Sequence, residues 1–206
     1  HSGNTYYRIV DYKTGAKEFD YCDVFNGIGL QMLLYLFTLE NKGGDILGDH
    51  AKSAGVLYFP ARSGILSANG KLTQEESDDK RAKEWKRKGL LLADEDVIAA
   101  MEPDGEAHRL CCKTDKDGNL KGDIATREQL NQLRDYMFVI LQKLVADIAQ
   151  GNVEANPYTR GTQHSACTYC PYKAVCHYDR VPGRRNYKTM SAQRFWEEIG
   201  KELSGN

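Results

Sequence analysis

Several things are missing from this 206-residue chain. No apolar run approaches the roughly 20 residues a helix needs to cross a bilayer. Neither sign of charge prevails, 28 Lys and Arg standing against 29 Asp and Glu. No global field therefore draws the chain to nucleic acid, and any such contact must come from local patches. A phosphate-cradling Gly-x-x-x-x-Gly-Lys-Ser/Thr loop is absent, so no nucleotide motor is written here. There is no secretory leader pattern either, since His1 to Asn4 run straight into an apolar segment. Six cysteines without that context read as thiols of a reducing compartment, not as a disulfide framework. An initiator Met is lacking too, and we expect a piece excised from a longer protein. What remains, 41% hydrophobic and 28% charged residues, is ordinary for a globular chain long enough to bury a core.

The stretch from Tyr6 to Tyr35 organises the rest. Tyr7-Arg8-Ile9-Val10 leads as a short apolar strand into Asp11-Tyr12-Lys13, and an apolar helix carrying Gln31 and Tyr35 follows after a loop. Alternation along a strand points Asp11 and Lys13 to one face and Tyr12 to the other. Gln31 and Tyr35, four apart, stack on one side of their helix. A carboxylate, an ammonium, an amide and a phenol can thus converge on one small volume. A divalent metal and a phosphodiester want such a set: the carboxylate for Mg²⁺, the lysine as a compact charge beside the phosphate. Acid-x-Lys triplets also occur at Asp78-Asp79-Lys80, Glu40-Asn41-Lys42 and Glu84-Trp85-Lys86. Only the first follows a strand-like run. The bland alternative is a strand end with a satisfied ion pair beside a core-facing helix.

Order and spacing together, IVDYKTG then GLQMLLY, resemble the RecB-type branch of the PD-(D/E)XK nucleases. The resemblance implies catalytic roles for Asp11 and Lys13 and substrate positioning by Gln31 and Tyr35, with Asp11 ligating Mg²⁺. It implies an α/β fold, a restriction-endonuclease-like core with a central mixed sheet flanked by helices, here truncated at its N-terminus and extended by helices at its C-terminus. That family carries a further acidic metal ligand on the strand before the D-x-K strand. Here none of the ten residues before Asp11 is Asp or Glu. One carboxylate is a thin set for a catalytic Mg²⁺, so we expect this piece to bind metal weakly and to cleave DNA poorly or not at all.

Further along, Glu40 to His50 is a Gly-rich break, and Lys52 to Ala61 is the next strand, stopped by Pro60. Strand, helix, strand predicts a βαβ crossover with parallel strands. Arg62 to Ser77 reads as a loop. Lys80 to Lys88, KRAKEWKRK, carries six basic residues and one acid around Trp85. It is either a DNA backbone contact with Trp85 stacking on a base, or a solvated helix face with Trp85 packed inward, and we favour the second. Asp94 is placed to cap a helix before Val97, Ile98 and Met101. Asp117-Gly118 suits a hairpin turn, and Cys111 and Cys112 on its leading arm suit packing. Arg127 to Gln150 is the clearest helix, with Thr126 and Gln129 as a capping box and Gly151 at C′. A stripe from Leu130 through Leu133, Met137, Ile140, Leu141, Leu144, Val145 and Ile148 marks its apolar side. Gln132 and Tyr136 repeat the Gln-x-x-x-Tyr spacing, which we take as coincidence.

A second signal follows that helix. Cys167, Cys170 and Cys176 stand in C-x₂-C-x₅-C spacing within CTYCPYKAVC. Such thiolates suit zinc or an iron–sulfur centre, one short of the usual four ligands. The trio resembles that of the cluster-bearing member of AddAB-type helicase-nucleases. CRISPR-associated exonucleases, with a shorter interval, match less well. The resemblance implies three corners of a [4Fe–4S] cluster with the fourth cysteine missing from this piece; His164, His177, Cys22 or Cys112 could substitute, each as a weaker alternative. A redox C-x-x-C fits poorly, because it should open a helix just after a strand. Arg180, Arg184, Arg185 and Lys188 form a basic cluster, and Ser191 to Leu203 ends the chain as an amphipathic helix with Phe195, Trp196 and Ile199 on one face.

We therefore expect residues 1–151 to hold a partial nuclease core with a helical insert and 152–206 a cluster-binding tail. The resemblance implies exonuclease hydrolysis of DNA in a bacterial, cytoplasmic helicase-nuclease that processes double-strand breaks. Its partners would be the companion AddA-type helicase chain and the single strand emerging from the helicase. A non-catalytic DNA-guiding or subunit-docking scaffold, and a zinc-stapled DNA-binding module, are the rival readings.

Overall fold

The structure, a computed structural model, describes residues 3–48, 50–61, 70–101, 110–160, 164–176 and 185–205. Its elements begin β1 (Tyr6–Lys13), α1 (Tyr21–Phe25), α2 (Gln31–Lys42), α3 (Gly44–Leu47), β2 (Lys52–Pro60), α4 (Gln74–Glu84), β3 (Lys88–Leu92) and α5 (Glu95–Met101). They continue with β4 (Cys112–Thr114), β5 (Leu120–Gly122), β6 (Ile124–Ala125), α6 (Arg127–Ala149), β7 (Tyr158–Arg160), β8 (His164–Ser165), α7 (Lys173–Cys176), β9 (Arg185–Asn186) and α8 (Ala192–Ser204). Two compact units divide the chain. One comprises His1–Phe19 and Leu30–Arg134, the other Asp20–Gly29 and Asp135–Asn206.

The first unit is built on a mixed sheet of order β1-β2-β3-β6. β1 and β2 run parallel, as the strand–helix–strand pattern requires, β3 lies antiparallel to β2, and β6 parallel to β3. β2 is buried from Ser53 to Tyr58 without polar alternation, because both of its faces are covered. On one face Leu57 and Leu91 pack with Ile98, Leu110, Cys111 and Cys112, so the two cysteines are core residues. α2 buries Met32, Leu33, Leu36 and Phe37, and Tyr7 Oη donates to Leu36 O at 2.6 Å. The far end of α2 is stapled by a polar cluster. The wholly buried Ser53 donates from Oγ to Glu40 at 3.0 Å, while Arg127 donates to Ser53 Oγ at 3.0 Å and to Ser53 O at 2.7 Å. Every hydrogen-bonding atom of Ser53 is thereby satisfied, as burial demands.

Gly55 is one of the places where β2 and β3 approach closely. It sits at φ +125°, and a Cβ there would run into Leu90 O. Elsewhere local signals and structure agree: Asp94 Oδ1 accepts from Val97 N at 3.1 Å, and Thr126 and Gln129 bond reciprocally at 2.8 and 3.2 Å. Asp115 N donates to Asn119 O to close the β4–β5 hairpin, with Gly118 at φ +84° in the turn.

Three expectations need correction. Residues 74–77 are helical, not loop: Thr73 and Glu76 form a capping box that starts α4. The Gly-rich break is narrower than expected, since α2 runs to Lys42 and Gly44–Leu47 adds a helical turn. Trp85 is not packed inward. It is the C-cap of α4 and 48% exposed, and α4 buries no residue. With a polar face all round, α4 lacks the apolar stripe that would draw an indole under it.

In the second unit, α8 is capped by Ser191 and buries Phe195 and Ile199. Tyr21 meets Phe195 with ring centroids 5.2 Å apart. Tyr136 stacks on Phe25 at 5.6 Å and donates to Phe25 O at 2.7 Å, a purely structural use of that tyrosine. α6 ends in a Schellman motif: Gly151 N donates to Ile148 O and Asn152 N to Asp147 O, with Gly151 at φ +70°. Its apolar stripe is only half used. Leu130, Leu133 and Met137 are buried, whereas Leu144, Val145 and Ile148 are exposed, no described element covering the last turns. A small sheet of order β8-β7-β9 completes this unit. No helix among the described residues is long and apolar enough to cross a membrane.

Candidate active site

β1 sets the geometry of the site. Its β-branched and aromatic residues favour the extended state, and the pairing register with β2 places Asp11 opposite Tyr58 and Lys13 opposite Pro60. Asp11 and Lys13, two apart on one face, meet in an ion pair of 2.6 Å, with the Asp11 side chain only 27% exposed. Tyr12 points to the other face, 69% exposed, with its ring 5.5 Å from Phe59. Arg87 lies over the Phe59 ring at 4.2 Å.

α2 contributes the second pair. Its buried residues face inward, which leaves Gln31 and Tyr35 on the exposed side, where Gln31 Nε2 donates to Tyr35 Oη at 3.1 Å. The two pairs sit on elements joined through Tyr7 and Leu36. Among the described residues, no hydrogen bond or ion pair runs directly from Asp11 or Lys13 to Gln31 or Tyr35.

Two further residues share this face, and sequence reasoning missed both. Tyr58 pairs with Asp11 on one side and with Lys88 on the other, so Asp11, Tyr58 and Lys88 form a row across β1, β2 and β3. Directly paired residues project to the same face. Burial, and then the charge of Asp11, push the Tyr58 phenol up from its ordinary pKa. It remains a neutral hydrogen-bonding group beside the carboxylate at any physiological pH. Lys88 extends a positive charge to the rim and touches Glu18 at 3.6 Å. Only the strand register brings these three together, and no local motif announces it.

Asp11 offers a hard oxygen of the kind a divalent cation takes. Among the described residues no group of three His, Cys, Asp or Glu lies close enough to hold a metal ion. The Asp11–Lys13 contact fits a catalytic pair and also the ion pair of the bland reading.

The cysteine trio belongs to the second unit. Cys167 and Cys170 are half-buried, Cys176 is exposed, and all three are free thiols. Cys167 and Cys170 lie in a turn after β8, and Cys176 ends α7. Soft thiolates suit zinc or an iron–sulfur centre in kind, but as placed they do not form a closed ligand set. Two of the substitutes for a fourth ligand are engaged elsewhere. Cys22 is buried and donates from Sγ to Lys188 O at 2.9 Å, burial pushing its thiol up. Cys112 is buried in the core of the first unit, its thiol likewise pushed up by burial. Both are therefore poor sources of thiolate. His164 stands exposed on β8. His177 lies outside the described residues, as do Arg180, Arg184 and the side chain of Arg185; Lys188 is exposed.

A family model described as the PD-(D/E)XK nuclease superfamily matches residues 1–177. Curated relatives agree over nearly all of the chain, and each is the B-type subunit of an ATP-dependent helicase/deoxyribonuclease. That of Acetivibrio thermocellus is 38% identical over 206 residues, covering 96% of this chain and 18% of that protein. Its namesake in Oceanobacillus iheyensis is 35% identical over 193 residues, 91% of this chain and 16% of that protein. That of Clostridium novyi is 35% identical over 203 residues, with 96% and 18% covered. The chain thus spans less than a fifth of the length of the curated relatives it matches.

Proposed function

The chain belongs to the PD-(D/E)XK nuclease superfamily, and on that premise we propose that it is the nuclease domain of an AddB-type helicase-nuclease protein and hydrolyses DNA phosphodiester bonds. The observation that carries this is the Asp11–Lys13 pair at the end of a parallel strand, on one face with Tyr58 and Lys88. Asp11 would hold Mg²⁺, which supplies a Lewis acid and a nucleophilic water when bound. Lys13 places its ammonium beside the phosphate under attack, where the charge grows in the transition state. Gln31 and Tyr35, already bonded to each other, present an amide and a phenol to orient the substrate. Tyr58 keeps the floor of the site neutral and excludes water from beneath the carboxylate.

The remaining parts follow from the same reading. Residues 1–151 carry the nuclease core, and 152–206 a tail in which Cys167, Cys170 and Cys176 hold three corners of a [4Fe–4S] cluster. The fourth thiolate would come from elsewhere in the longer protein, and the cluster would be structural. Its setting would be a bacterial, cytoplasmic exonuclease working with an AddA-type helicase partner in double-strand break repair and recombination. With a single carboxylate, the 206-residue chain alone binds Mg²⁺ weakly and cleaves slowly or not at all.

The test is Asp11→Asn in the full-length protein with its helicase partner. Cleavage should fall about a hundredfold or more, with DNA binding and helicase action retained. Unchanged cleavage would overturn the hydrolytic reading in favour of a scaffold that only guides a strand.

A further inference from the structure

A slot of about 140 Å³ opens beside Lys13, and its lining is lopsided in charge: Lys13, Lys17, Lys83, Lys86 and Lys88 against two glutamates. The lysines come from segments far apart in sequence. Lys13 and Lys17 flank the loop after β1; Lys83 sits in the last turn of α4, and Lys86 and Lys88 lie on the way into β3. Tyr58, Phe59 and Pro60 form the floor. Lys88 is answered by Glu18 at 3.6 Å, but among the described residues no ion pair engages Lys17 or Lys83. Asp123 lies near Lys88 and Lys86, and burial pushes its carboxyl up. Gathering like charges in one slot costs self-repulsion that a polyanion relieves.

We propose that this slot seats the sugar-phosphate backbone of one nucleic-acid strand and delivers it to Lys13, making Lys17, Lys83 and Lys86 positioning residues. The inference rests on the nuclease reading for its direction, toward Asp11 and Lys13, but not for the binding itself. It also revises the sense of the KRAKEWKRK run: its C-terminal lysines, though solvent-exposed, line a slot. Trp85 takes no part, since it lies apart from the slot beside Asp78, Arg81 and Ala82. Charge, not base stacking, does the holding, so the slot is indifferent to sequence.

The experiment measures binding of a fluorescent oligothymidylate by the 206-residue chain across a salt series. Each phosphate contact to a single strand contributes about 0.7 to the slope of log affinity against log salt. Lys17→Ala/Lys83→Ala/Lys86→Ala should lower that slope by about 2, so that raising salt from about 50 to 200 mM costs the variant some sixteenfold less affinity than the wild type. Lys17→Arg/Lys83→Arg/Lys86→Arg should keep the slope, and Lys116→Ala/Lys121→Ala on the β4–β5 hairpin should leave it unchanged. An unaltered slope in the Ala triple, or an equal loss in the Arg triple, overturns the proposal. A loss seen only with duplex DNA overturns the single-strand assignment. The two readings fail separately. A slope that falls while Asp11→Asn still cleaves keeps the slot and removes the hydrolase; the reverse keeps the hydrolase and removes the slot.

Discussion

Under the proposed nuclease reading, Lys13 would have two roles that pull against each other. Its ammonium lies 2.6 Å from Asp11, where any cation bound by that carboxylate must also sit. A half-exposed pair of this kind is worth at most about 1 kcal/mol, or roughly fivefold in a competing equilibrium. Lys13→Met should therefore tighten Mg²⁺ or Mn²⁺ binding by up to about fivefold while reducing cleavage by about a hundredfold or more. Calorimetric titration of the chain and a nuclease assay of the full-length protein check the two halves. Cation binding that weakens in Lys13→Met would show that the lysine is not a competitor. Among the side chains of this site, Asp11 and Lys13 could be found in the sequence because two residues of alternation suffice to pair them. Tyr58 and Lys88 could not, since their place beside Asp11 depends on a register set by the whole of β1, β2 and β3.

The strands and helices themselves were mostly readable where a local rule was strong. Asp94, the Thr126–Gln129 box and Gly151 all mark helix ends by their own chemistry. The start of α4 was readable by the same rule, from Thr73 and Glu76, but residues 74–77 are polar, carry no periodic signal and so read as loop. The exposed end of the α6 stripe is the opposite case: periodicity states that a face is apolar, not that anything covers it. Gly55 shows what a pairing can demand of one position. Gly55→Ala should destabilise the fold by more than about 1 kcal/mol, because a methyl there meets Leu90 O and the backbone is at φ +125°. Gly200→Ala is the control, in α8 with nothing near its Cβ; it should stabilise by up to about 1 kcal/mol. Urea midpoints of the two variants, moving in opposite directions, decide the matter.

At the scale of the folded chain, one partly buried pair in the second unit contributes to acid stability. Arg160 donates to Asp20 at 2.6 Å and approaches Asp23 at 3.6 Å. Burial pushes the Asp20 carboxyl up, but the Asp23 N–H and Arg160 outweigh it and hold the pKa below its ordinary value of 3.8. A depressed carboxylate contributes stability above that value and loses it as pH falls through the folded pKa. Arg160→Ala should cost about 1–3 kcal/mol at pH 7 and show a shallower further loss on acidification below about pH 4. Denaturant unfolding at pH 7 and near pH 3 measures both; an identical acid loss in wild type and variant would remove Asp20 from the account.

Among the described residues β1 pairs on one side only, with β2. No described strand pairs with its other side, which makes it the edge along which one more strand could be laid. Adjacent strands lie about 4.8 Å apart, so a strand laid there would bring side chains of its own close to Asp11. Completing the backbone ladder and placing a second side chain beside Asp11 would then be one event.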